Sequence, residues 1–268
     1  MKKLLAGLLG LGFAVLTAAS APAYTGTYVP GEGINATPHD LSRTDTGMNY
    51  TAVPGDPLNR ICIFCHAPHN TYRLADAIGG AGPLAPPEFD YLPLWNHELQ
   101  DPYGYTMYEN GPGAPQEGPK ASQAILNGMA SPGGVSLLCL SCHDGTIAAN
   151  SYGNSAQRVG SQSAGTKFMA YGYRIGADQY LGNHHPIGFN YDDVVAADPE
   201  IRDADGTFMT SETVVRDHLY GEDGGMLECA SCHSVHNTGN SGEVLLWRSD
   251  QNSELCLTCH AKGIYTAP

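Results

Sequence analysis

The chain has 268 residues, a formal net charge of −14, eight cysteines and 11 histidines. This acidic balance argues against nucleic acid as a partner, because binding it requires clustered Lys and Arg. With 33 glycines, 18 prolines, six Phe and two Trp, the chain should build a poor apolar core unaided. We therefore expect something other than side chains to fill part of its interior.

The first 23 residues have the features of a secretion signal. Lys2 and Lys3 precede an apolar run over residues 4–16, and residues 21–23 form a small-residue cleavage site. The run is short for a membrane span, and a retained anchor is the alternative. Cleavage would give a secreted chain without a membrane span, and the loss of two lysines would leave a net charge of about −16.

After the signal, the sequence predicts mostly irregular structure with a few short helices and very little strand. Two intervals rich in proline and glycine are predicted loops, residues 83–93 and 111–119. Three helices are predicted: residues 120–129, residues 211–220, and a helix capped by Ser249 that carries the last cysteine motif and ends near Gly263.

Two further predictions concern short strands and an acidic segment. Short strands are expected near Tyr171 and Val244. The acidic segment 192–205 is expected to be a solvated loop, with a calcium site as the alternative. It lacks the full spacing of an EF-hand.

All eight cysteines lie in Cys-x-x-Cys pairs, and each pair is followed directly by histidine, at residues 62–66, 139–143, 229–233 and 256–260. This pattern is the attachment signal for c-type haem. Two thiols three positions apart can bond one porphyrin edge, and the next histidine can bind the iron. Disulfides, zinc sites and thioredoxin-like motifs also use paired cysteines, but none requires that histidine.

We therefore predict four covalently bound haem c groups. The predicted thioether residues are Cys62, Cys65, Cys139, Cys142, Cys229, Cys232, Cys256 and Cys259. The predicted proximal iron ligands are His66, His143, His233 and His260.

The motifs alternate between two kinds, which indicates a duplicated two-haem module. The first and third continue into His-Asn, whereas the second and fourth have Leu and a hydroxyl residue between the cysteines. A Leu-Trp pair follows each motif of the first kind, Leu94-Trp95 and then Leu246-Trp247. The modules are predicted at 24–150 and 151–268, forming one continuous haem-wrapped unit.

The duplication also supplies four further histidines, enough to give every iron a second imidazole. These predicted distal ligands are His39, His69, His185 and His236, with His184 as the competitor of His185. His69 and His236 lie too close to their own motifs to reach back, so they should serve a neighbouring haem. Two histidines are left over, His97 and His218, and are expected to be solvated or bonded to haem propionates.

The chain resembles multihaem cytochromes of the doubled C-x-x-C-H type, most of all the tetrahaem extracellular cytochromes of the OmcE kind. The resemblance is carried by residues 38–42, 62–70, 93–96, 139–146, 185–189, 229–237 and 256–260. It implies a mostly coil fold, bis-histidine haems in a continuous chain and polymerisation into a conductive filament. It also implies one axial histidine donated across the subunit interface, with His39 or His69 as the donor.

Electron conduction without substrate chemistry is the function these features favour. The expected partners are further copies of the chain, joined head to tail, together with upstream and downstream redox proteins or extracellular acceptors. The expected location is extracellular or at the cell surface, with the periplasm as the alternative. A monomeric periplasmic shuttle is the nearest competing function. A multihaem enzyme is a third, but it would need an iron with an open position.

Overall fold

The computed structural model describes residues 29–42, 60–69, 71, 94–97, 99–108, 125, 128–129, 131–149, 152, 168–169, 171–206, 213–221, 223–239 and 243–261. The predicted signal segment 1–23 and the predicted loops at 83–93 and 111–119 lie outside these ranges.

Within the described residues, irregular chain connects a few short elements, as the sequence predicts. The α-helices are α1 (Gly134–His143), α2 (Tyr191–Ala197), α3 (Cys229–Cys232) and α4 (Glu254–Cys259). Single 3₁₀ turns span Ile61–Phe64, Pro102–Gly104, Tyr171–Tyr173, Ala177–Gln179, Val215–His218 and Gln251–Ser253. One antiparallel pair joins β1 (Phe189–Asn190) to β2 (Met226–Leu227), with Phe189 opposite Leu227.

Helix α1 is the longest of these elements and was not predicted. It buries Leu137, Leu138 and Leu140. Its end is set by Asp144, whose amide bonds the Leu140 carbonyl, and by Gly145 at a φ of 78°. A left-handed glycine after the last helical turn is a common helix stop, because glycine lacks the Cβ that opposes this conformation. The second cysteine motif therefore lies at a defined helix end.

Helix α2 occupies the acidic segment that the sequence predicted as a solvated loop. Asn190 caps it by accepting bonds from the amides of Asp192 and Asp193, at 2.9 and 3.3 Å. Asp192 and Asp205 both pair with the Arg216 guanidinium, at 3.1 and 2.7 Å. Within this part of the chain, the two carboxylates face a guanidinium, which opposes the calcium alternative.

An apolar core does form from side chains, beyond what the composition led us to expect. It joins α1, the β1–α2 segment and β2 through buried residues such as Leu137, Leu140, Phe189, Val194 and Leu227. The core therefore lies beside the second, third and fourth motifs.

The predicted helices are partly right. Residues 125 and 128 are helical, as expected for 120–129. Of 211–220, the described part holds only the 3₁₀ turn Val215–His218. Ser249 accepts the Gln251 amide at 3.1 Å ahead of α4, and α4 ends at Cys259 rather than near Gly263.

Both strand predictions are wrong. Tyr171 begins a 3₁₀ turn, and Val244 lies in a turn. The strands form elsewhere, where Phe189 and Leu227 are both buried. Among the described residues, no helix combines the length and apolar character of a membrane span.

Candidate haem-attachment sites

Each cysteine motif lies on a short helical turn. The first occupies the 3₁₀ turn Ile61–Phe64, the second ends α1, and the third and fourth lie on α3 and α4. One turn of helix brings residues three positions apart to the same face. In the first, third and fourth motifs, the histidine amide donates to the carbonyl of the first cysteine, at 2.8, 3.2 and 2.9 Å. The two thiols and the imidazole of each motif therefore project from the same short helical turn.

The structure brings six of the eight predicted ligand histidines together in three pairs. The ring centroids are 6.1 Å apart for His66 and His236, 6.2 Å for His39 and His143, and 6.2 Å for His185 and His260. Each pair joins a predicted proximal ligand to a predicted distal one.

This separation fits a metal ion between the two rings. A ligating imidazole nitrogen lies about 2 Å from its metal and about 1 Å from its own ring centre, so opposed rings on one metal are roughly 6 Å apart. A separation of this size leaves no space for another side chain between the two rings. The residues present thus fit an iron with two axial imidazoles.

Burial keeps one of these pairs in the neutral form that metal binding requires. Desolvation lowers the pKa of His143 to about 4, and the nearby His39 lowers it further. Burial also lowers the pKa of His39, opposed by its contact with the Val235 carbonyl. A neutral imidazole retains the lone pair that binds a metal.

His39 is held in place by the chain around the third motif. Its Nδ1 lies 3.3 Å from the Val235 carbonyl oxygen. The side-chain Nδ2 of Asn237, a fully buried residue, donates to the carbonyls of Val29 and Gly33 at 2.8 and 2.9 Å. The segment that carries His39 is thus docked on the loop after the third motif.

His233 and His69 are not among these three pairs. Both are exposed, and the His233 Nδ1 lies 3.1 Å from the Leu245 carbonyl. Among the described residues, no imidazole faces His233 at the separation seen in the three pairs. His184, the competitor of His185, accepts the Gly176 amide at its Nε2, at 3.3 Å. The structure therefore brings His185, and not His184, to His260.

Cysteines of successive motifs affect one another's pKa, in the order in which the motifs occur along the chain. Cys65 interacts electrostatically with Cys142, and Cys232 with Cys259. Between these pairs, Cys139 lies close enough to Cys229 to lower the pKa of the Cys229 thiol, while the Cys139 thiol donates to the Val135 carbonyl at 3.5 Å. Burial raises the pKa of three thiols to about 12, those of Cys65, Cys142 and Cys232.

No two of the eight cysteines form a disulfide. Nor does the described chain bring three or more His, Cys, Asp or Glu side chains together as a metal cluster. An apolar cleft opens beside the third and fourth motifs, lined by Val215, His218, Leu219, Leu227, Ser231, Cys232, Leu255 and Cys259.

A family model described as the doubled CXXCH motif matches residues 222–264, which hold the third and fourth motifs. The match indicates covalently bound haem c. It supports a haem-binding c-type cytochrome that carries electrons. No curated protein matches the chain.

The duplication is also visible in hydrogen bonds, because equivalent bonds occur at the first and third motifs. Ala67 and Ser234 donate to the carbonyls of Leu94 and Leu245, at 3.0 and 3.1 Å. Leu94 and Leu245 share an unusual positive φ, 54° and 61°. These residues are therefore equivalent, so the Leu-Trp alignment made from the sequence is wrong by one position.

The side chains two positions later agree. Asn96 donates to the Ile63 carbonyl at 2.5 Å, and Trp247 donates to the Ala230 carbonyl at 2.7 Å. Ile63 and Ala230 both follow the first cysteine of their motif. Trp247 thus has the place of Asn96, and Trp95 packs edge-on against the His66 ring instead.

The two histidines left over are buried, so of the two alternatives solvation is wrong, and a bond to a haem propionate stays a prediction. The His97 Nε2 lies 3.6 Å from the Cys142 sulfur, and the His218 ring centroid is 4.5 Å from that of Trp247. Their places between motifs depend on long-range folding, which spacing along the chain does not report.

Proposed function

We propose that this chain is a tetrahaem c-type cytochrome that conducts electrons along closely spaced bis-histidine haems. The single observation that carries the proposal is the set of three histidine pairs with ring centroids 6.1–6.2 Å apart. The haems would be held by thioethers to the eight cysteines of the four motifs. Bound haem supplies reversible one-electron chemistry at its iron.

The pairs support a specific ligand assignment. His66 and His236 would bind the first iron, His143 and His39 the second, and His260 and His185 the fourth. His233 would bind the third from the proximal side. Two imidazoles on the first, second and fourth irons leave no position there for substrate, which favours electron transfer over a multihaem enzyme.

The contacts between cysteines support a path through the haems in sequence order. Neighbouring motifs interact through Cys65 and Cys142, through Cys139 and Cys229, and through Cys232 and Cys259. These mutual effects on the thiol pKa values support close spacing of successive attachment points. A continuous row of this kind is what stepwise electron transfer requires.

The duplication supports a filament. In this assignment, His236 of the second module binds the iron attached to the first motif. When the same relation is repeated between chains, His69 binds the third iron of a neighbouring copy, opposite His233. His39, the other candidate donor, instead pairs with His143 in its own chain. A head-to-tail contact that does not close on itself builds an open polymer. We infer secretion to the cell surface, with redox proteins or extracellular acceptors as partners.

Electron microscopy of the secreted fraction, with a matched pair of variants, tests the filament. His69→Ala should yield dispersed chains that keep four haems and gain one high-spin iron at neutral pH. His184→Ala, which removes a histidine bonded to the Gly176 amide, should leave filaments intact.

Two results would contradict the filament. One is a wild-type protein that runs as a monomer in its native fraction, which would favour the periplasmic shuttle. The other is a His69→Ala protein that still polymerises.

A further inference from the structure

A buried carboxylate lies where the two modules meet. Glu228, the residue before Cys229, is only 2% exposed. Its carboxylate accepts the Ser136 hydroxyl and is bonded by the backbone at Gly133 and Ser136. These partners lie at the start of α1, whose other end carries the second haem motif.

Helix physics explains why a carboxylate lies there. The first amides of a helix have no partner within it, and the helix dipole gives that end a partial positive charge. Gly133, at the N-cap, has no side chain to accept a bond. A Cβ at Gly133 would overlap the Glu228 carboxylate, so the missing side chain also makes room. Glu228 therefore caps α1 from the other module.

The same contact connects two haem-attachment points. The Ser136 hydroxyl oxygen accepts the Cys229 amide at 3.0 Å. One turn further along α1, the Cys139 side chain lies close enough to Cys229 to lower the pKa of its thiol. Ser136 thus binds both Glu228 and the residue that anchors the third haem.

We propose that Glu228 is a positioning residue for electron transfer between the second and third haems. It acts by capping the helix that carries one site and by holding its carboxyl group beside both. The proposal rests on the proposed function, since it takes both motifs to be haem-bearing.

The charge on Glu228 should depend on pH. Burial raises the pKa of Glu228 to about 8, against the opposing hydrogen bond from Ser136. The titratable groups that face it are Cys139 on α1 and Cys229 on its own segment, and thioether bonds remove the acidic proton of both. The carboxyl is thus neutral near pH 6 and charged near pH 10, where it opposes the addition of an electron nearby.

Redox titration of the haem-loaded full chain tests this role. Near pH 10, we expect two of the four haems to be easier to reduce in Glu228→Gln than in the wild type. Their equilibrium constant for reduction should be about tenfold higher, which is a rise of ~59 mV in reduction potential. Near pH 6 the variant should titrate as the wild type does. The control is Glu254→Gln, which alters a partly exposed carboxylate paired with Arg248 in the first turn of α4 and should leave the potentials of these two haems, and their pH dependence, as in the wild type.

A second variant covers the case in which Glu228→Gln does not load haem. Ser136→Ala removes one hydrogen bond that stabilises the carboxylate, so the pH at which the two potentials change should move upward. Wild-type potentials near pH 10 in Glu228→Gln, an equal shift in Glu254→Gln, or an unmoved pH dependence in Ser136→Ala would each overturn the proposal. Filament images and haem count by mass test the proposed function separately, since dispersed chains suffice for these titrations.

Discussion

At the scale of single residues, the sequence predicts the ligand histidines but not which of them pair with each other. Eight histidines for four irons follow from counting, and so does the argument that His236 serves another haem. That His236 faces His66 depends on how the two modules fold against each other. The choice of His185 over His184 depends on one backbone contact, the Gly176 amide bonded to His184. No local pattern carries that information.

The pairing of His185 with His260 predicts a spectroscopic difference between adjacent histidines. His185→Ala should leave the fourth iron with one imidazole and create a high-spin population of one iron in four. His184→Ala should keep all irons low-spin, because its imidazole is engaged by the Gly176 amide. Electron paramagnetic resonance of the ferric protein measures both. A high-spin signal in His184→Ala alone would reverse the assignment.

Glu228 predicts how stability depends on pH. Its pKa is about 8 when folded, against an ordinary value of 4.5. The folded chain therefore binds the proton more tightly, and its stability should fall as pH rises from about 4.5 to about 8. The loss should be about 5 kcal/mol. Urea unfolding at several pH values measures it. Glu228→Gln should flatten the profile, and an unchanged slope would contradict the buried carboxyl.

At the scale of elements, the cysteine motifs were predictable and the helices around them were less so. Helix α1 was missed although Gly145 marks its end, because its start has no capping side chain of its own. The cap comes from Glu228, far away in sequence. The strands were misplaced because two-residue strands carry too little alternation to detect. They form where tertiary packing buries Phe189 and Leu227.

The cross-module cap predicts unequal effects of alanine at two glycines. Gly133→Ala should destabilise the chain by about 1–3 kcal/mol, since its Cβ would displace the Glu228 carboxylate. Gly172→Ala meets nothing within 4 Å and should change stability by less than about 0.5 kcal/mol. Denaturant unfolding of both variants provides the comparison. Equal effects at the two sites would argue against a tight contact at Gly133.

At the scale of the whole molecule, composition predicted the fold class, and the sequence repeat predicted a two-module organisation. A chain rich in glycine and proline with few large apolar residues forms mostly coil, and the described residues agree. The apolar core was underestimated, because Leu137, Leu140, Val194 and Leu227 come from distant segments. The repeat in the hydrogen bonds, with Leu94 matching Leu245, supports the proposal that the same arrangement continues from one chain to the next.

The central claim is that eight sulfurs hold four porphyrins. Intact mass of the secreted protein under denaturing conditions tests it directly, because thioether bonds survive unfolding. We predict a mass equal to the processed polypeptide plus four haems, with no thiol left to alkylate. A mass lacking any of the four haems, or cysteines that react with an alkylating agent, would contradict it.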